Sequence, residues 1–76
     1  MNNAVRTKLT SEQIIARIKR RVMKLNPTAY HIYVGDYTLY KKERYGFVNI
    51  YVKAKAMFSI DGEAEEKMCV VDIGIE

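Results

Sequence analysis

With 76 residues, 49% of them hydrophobic, one proline and four glycines, the chain is too apolar for a disordered tail and short enough to form a single domain of modest stability. Its net charge of +4 favours an anionic partner without specifying one. A lone cysteine excludes an intrachain disulfide and suits a reducing compartment. No stretch approaches membrane-spanning length, and Met1 to Leu9 has no apolar run that a signal segment needs. A cytoplasmic protein with no membrane association is expected, with residues 1–9 flexible ahead of the domain.

The first element is announced by Thr10, whose side chain can accept from the Gln13 amide while Gln13 reaches back, a variant of the capping box. Leu9 and Ile14 occupy the hydrophobic-staple positions. Ile14, Ile18, Val22 and Leu25 then recur at helical spacing beside Ile15, which predicts one amphipathic helix. Pro27 disfavours the helical region for Asn26 and lacks an amide donor, so the helix is expected to stop at Asn26.

Ala29 to Tyr40 reads as strand, but Tyr30, Ile32 and Val34 are even-numbered whereas Tyr37 and Leu39 are odd, so the inward phase flips near Gly35-Asp36. Either a bulge at Gly35 bends one strand, or a tight Gly-Asp hairpin divides it in two. Lys41 to Gly46 reads as a loop. From Phe47 to Ile60 the alternation is clear, with Val48, Ile50, Val52, Ala54, Ala56, Phe58 and Ile60 on the core face. Asp61-Gly62 then predicts a two-residue type I′ turn. Setting Ile60 opposite Glu63 would place Ala54 against Cys69, Val52 against Val71 and Ile50 against Ile73. The expected architecture is α+β: one N-terminal amphipathic helix on one face of a three-stranded, or four-stranded, antiparallel sheet with a long Asp-Gly hairpin.

For catalysis the inventory is thin. His31 is the only histidine, and Cys69 is directed by its register into the core, where a thiol is ordinarily packing. Asp61, Glu63, Glu65 and Glu66 cluster at the hairpin tip but match no specific cation loop, and a solvated tip that discourages edge aggregation explains them better. There is no glycine-rich phosphate loop, paired-cysteine motif or serine elbow. No catalytic residue, cofactor or metal ligand is assigned, and a non-enzymatic protein is expected.

Two surfaces remain. At about 100° per residue, Arg17, Arg20, Arg21 and Lys24 fall on one arc of the helix, and Lys41, Lys42 and Arg44 would add a basic loop. Such residues bind backbone phosphates with little sequence preference, or else form an ordinary solvated face. The outward sheet face carries Phe47, Tyr51, Met57, Met68 and Val70 among Lys53 and Lys55. One helix covers only one face, so an apolar second face marks an interface, by self-association or with a protein partner. Aromatics among lysines also resemble single-strand nucleic-acid platforms, but the signature and the helix-strand alternation of that class are absent. The reading is a small binding protein that occupies a macromolecular surface, working as a homodimer. A chain of this size and inventory suits a regulator or inhibitor of the kind phages and other mobile elements carry, on general grounds that no residue demonstrates. Nucleic-acid binding by the basic flank and loop is the second reading.

One further expectation concerns length. Strands of about 40 Å at roughly 3.3 Å per residue would overhang a helix of roughly 22 Å. The distal part, with Met57, Phe58 and Ile60 near the acidic tip, is expected to bend back, project as an arm or be covered by another chain.

Overall fold

The computed structural model describes residues 5–76 and consists of α1 (Ser11–Leu25), β1 (Ala29–Arg44), β2 (Phe47–Ile60) and β3 (Lys67–Gly74). The strands form one antiparallel sheet in the order β1-β2-β3, and α1 lies across one face in contact with all three. The α+β architecture is as expected, with three strands.

Local chemistry sets the limits of α1. Thr10 adopts an extended backbone and its Oγ1 accepts from the Gln13 amide at 3.1 Å, while the Thr10 amide donates to Gln13 Oε1 at 2.8 Å. At the other end, both the amide and the side-chain Nδ2 of Asn26 donate to the Val22 carbonyl, and Pro27 follows. Ile14, Ile18 and Val22 are buried against Val52, Ala54, Ala56, Phe58, Val71 and Ile75. The paired alanines of β2 leave room for the helix to sit close to the sheet. Leu25, expected in the apolar stripe, is 62% exposed, because α1 ends there as the chain turns toward β1.

In β1 the flip of phase at Gly35 is a bulge, not a hairpin: the register shifts between Val34 and Tyr37. A second shift, between Tyr30 and Tyr33, sets His31 and Ile32 against Phe58 alone. His31 takes the strain there with φ of 50°. This bulge places Ala29 and Ile32 against the core and leaves Tyr30 exposed, so Tyr30 does not face inward as its parity implies.

Residues expected as a loop, Lys41 to Arg44, are strand. They pair with Ile50, Asn49, Val48 and Phe47 in turn, and the reversal is made by Tyr45 and Gly46 alone, with φ of 53° and 79°. Positive φ at both positions is the type I′ pattern. A tyrosine is costly in that conformation. Tyr45→Asn is therefore expected to raise stability by about 1 kcal/mol, measured as an upward shift in the urea midpoint.

The Asp61-Gly62 reversal departs from expectation in the opposite sense. Only Gly62 has positive φ, at 85°, and the Glu63 amide donates to the Ile60 carbonyl at 3.1 Å. One positive φ at the third turn position is the type II signature. Bends through Ala64 and Glu65 follow before β3 begins at Lys67. Consequently β3 is displaced by two residues from the expected pairing: Ala54 faces Val71, Ala56 faces Cys69 and Val52 faces Ile73. An even displacement keeps every side chain on its expected face.

Of the alternatives expected for the distal end, projection does not occur, and the sheet overhangs the helix at the other end. Phe58 is 3% exposed and Ile60 packs on the core, whereas Val48 is 60% exposed near the Tyr45-Gly46 turn, beyond the reach of α1. The molecule is correspondingly elongated, 46 × 27 × 16 Å.

Candidate functional site

Register distributes the outward-facing residues in rows across the strands. Tyr33, Met57 and Met68 form the first row; Lys55 and Val70 stand beside the Gly35-Asp36 bulge; Thr38, Lys53 and Asp72 form the next. Tyr40, Tyr51 and Gly74 follow, and then Lys42 with Asn49 and Arg44 with Phe47. Of the five residues expected to bind a partner, Met57, Met68 and Val70 thus gather at one end. Phe47 is separated from Met57 by ten residues of strand, about 33 Å. The structure does not bring it into the same patch. Tyr33, 66% exposed, belongs to the patch instead and was missed by sequence, because strand β1 could not be aligned with β2 without knowing its bulges.

Tyr51 is half-buried and engaged within the molecule. Its ring stacks on Tyr40 with centroids 5.6 Å apart, Lys42 Nζ sits 5.5 Å from its centroid, and Gly74 supplies the flat floor beside it. A Cβ at Gly74 would meet the ring at 3.6 Å, an ordinary van der Waals contact, so Tyr51 lies close over this residue without crowding. The Tyr40 hydroxyl donates to Asp72 Oδ1. That hydrogen bond, aided by desolvation and the negative charge of Asp72, pushes the Tyr40 phenol up to about 12. The neutral phenol is favoured in the fold, so this contribution is complete below the ordinary tyrosine value of 10.0 and is lost as pH rises toward about 12. An ultraviolet pH titration is expected to show one phenol ionising at about 12, and Asp72→Asn should return it toward 10.0.

On the other face, Arg17, Arg20, Arg21 and Lys24 converge as their helical spacing implies. They line a shallow depression of ≈ 240 Å³ together with Ile73 and Gly74 of β3. Arg17 Nη1 reaches the Ile75 carbonyl at 3.4 Å. Lys41, Lys42 and Arg44 do not extend this surface: they lie on β1, at the opposite edge of the sheet, with Lys42 on the outward face.

His31 is exposed in the bulge between Tyr30 and Tyr33, its ring edge-on to Tyr30 with centroids 4.9 Å apart. Cys69 lies on the inner face of β3, separated from β1 by β2, and burial pushes its thiol up, away from the nucleophilic thiolate. The acidic tip is exposed, with Lys67 Nζ 3.1 Å from Glu63 Oε1. Among the described residues, no group of three or more His, Cys, Asp or Glu side chains is placed to hold a metal ion, and no helix is long and apolar enough to cross a membrane.

Thr7 and Lys8, in the segment expected to be flexible, both bond to Glu76: the Thr7 hydroxyl and the Lys8 amide donate to its Oε1, the latter at 2.9 Å. These bonds hold the Glu76 carboxyl below its ordinary value. Residues 1–4 of the same segment lie outside the described residues.

No family model matches the chain, and neither a curated protein nor a solved structure matches it.

Proposed function

We propose that this is a non-enzymatic binding protein that acts by occupying a macromolecular surface, and that its outward sheet face joins two copies into a homodimer. The carrying observation is the row Tyr33, Met57 and Met68, exposed by 66%, 38% and 64% on the face that α1 leaves uncovered, with Val70 adjoining. A contiguous apolar patch, unlike scattered single residues, is the kind of surface feature that marks an interaction site. Lys53 and Lys55 border it on the same face as Asp36 and Asp72, so a two-fold-related copy can set unlike charges opposite one another while the lysine stems lie along apolar surface. A regulator or inhibitor works with this minimal equipment, since blocking a surface requires no chemistry.

Nucleic-acid binding is the second reading, favoured by the four basic side chains that line one depression on the helix flank. Two properties of the purified protein separate the readings. A mass of two chains with an absorbance spectrum free of nucleic acid supports the first; the chain has no tryptophan, so bound nucleotide would dominate the spectrum. A one-chain mass with co-purifying nucleic acid would replace it by the second.

A further inference from the structure

The basic flank has a neighbour that charge alone does not explain. Among the described residues, strand β3 pairs only with β2, runs eight residues without a register shift, and contains no proline. The Ile75 amide donates to the Ile50 carbonyl at 2.8 Å, which fixes the phase of the ladder. Because hydrogen-bonded pairs alternate, Cys69, Val71 and Ile73 bond toward β2, leaving the backbone groups of Met68, Val70 and Asp72 on the free edge. Open edges of this kind are templates for an added strand and are ordinarily blunted. The other edge is blunted: β1 carries two bulges and the run Lys41 to Arg44. Within Lys67–Gly74 the edge of β3 has neither device; the ladder becomes irregular only past its end, where the Ile50 carbonyl accepts from both the Ile75 and Glu76 amides.

Side chains of a strand added to β3 would alternate between the two faces, and those on the helix side would enter the depression lined by Arg17, Arg20, Arg21 and Lys24. We propose that the β3 edge takes up an extended acidic peptide as a fourth, antiparallel strand, with alternate carboxylates seated against those four cations. This is β-strand addition, in which main-chain bonds give affinity and side chains on alternate positions give specificity. A second copy of β3 fits poorly, because antiparallel pairing about a two-fold axis would set both basic flanks on one face, side by side. A nucleic-acid backbone would answer the charge but offers no matching row of donors and acceptors for the strand edge. The inference rests on the binding-protein reading; it uses the strand edge and the helix flank, whereas the dimer uses the outward side chains, with Met68 and Val70 bordering both, so variants confined to Tyr33 and Met57 or to Arg20 and Arg21 tell the two apart.

The test uses the full chain and a fluorescent eight-residue peptide alternating glutamate with valine, followed by anisotropy. The peptide is expected to bind, and Arg20→Glu with Arg21→Glu to weaken it by about tenfold or more, with the circular dichroism of the protein unchanged. N-methylating the peptide's valine amides, which would face β3, should abolish binding; N-methylating its glutamate amides, which would point away, should leave it intact. Tyr33→Lys with Met57→Lys, which tests the dimer patch, should leave peptide affinity unchanged. No binding, equal loss with both N-methylated peptides, or unaltered affinity in the charge-reversed variant would each overturn the proposal. So would displacement of the peptide by a mixed-sequence oligonucleotide that binds more tightly, which would assign the flank to nucleic acid.

Discussion

Replacing Ile18 by alanine is expected to lower the unfolding free energy by about 2–5 kcal/mol. Ile18 has no exposed surface and stands midway along the buried stripe of α1, between Ile14 and Val22. Truncation there removes apolar contacts and leaves a cavity that Ala54 and Ala56, already minimal, cannot fill. Alanine's better helix propensity returns only about half a kcal/mol. A domain of 76 residues has a total stability on the order of 4–11 kcal/mol, so the change should consume a large share of it. Met23→Ala, on the exposed side of the same helix, should shift stability by no more than about 0.5 kcal/mol. Urea denaturation of the pair checks the packing of α1 on the sheet; a comparable small effect for both would mean that the helix does not bury this stripe.

The second large effect is on assembly and not on folding. Tyr33→Lys combined with Met57→Lys places two like charges, directly opposite each other, in the apolar row. Both side chains are solvent-exposed in the single chain, so the loss in stability should stay at about 1 kcal/mol, while a dimer built on this row must bury both ammonium groups. Sedimentation should therefore show the mass fall to that of one 8.8 kDa chain, with the circular dichroism spectrum retained. Tyr51 is a poorer place for this test despite lying on the same face. Its stacking on Tyr40 means that a charge there would disturb the sheet itself.

Features determined by a few adjacent residues were legible in the sequence. Thr10 and Gln13 write the start of α1 and Pro27 its end, and each needs only neighbours within a turn. The alternation of β2 was equally plain, because Val52, Ala54, Ala56 and Phe58 lie under the helix. Pairing was less accessible. The Asp61-Gly62 dipeptide suggests a two-residue hairpin, yet the reversal extends to Glu66, and the core survived that misreading only because the displacement is even. Tyr45-Gly46 escaped notice because tyrosine rarely accepts positive φ, and the polar run before it resembles a loop when it is in fact a strand end wetted on both faces. The same limitation governs the candidate surfaces. Helical spacing was enough to gather the four cations of α1, since they share one helix. Which strand they border, and that Tyr33 rather than Phe47 completes the apolar patch, depended on register and sheet order.

Methionine oxidation measured across a dilution series tests most directly whether the outward face is the occupied one. Met57 and Met68 lie in the apolar row, and Met23, 46% exposed on α1, serves as an internal reference in the same chain. A thioether covered by a second copy reacts slowly with peroxide and one in water reacts quickly. The homodimer reading predicts that Met57 and Met68 are protected at high protein concentration and become reactive on dilution, while Met23 reacts at a constant rate throughout. Rates for Met57 and Met68 that do not change with concentration, or protection of Met23 in their place, would contradict it.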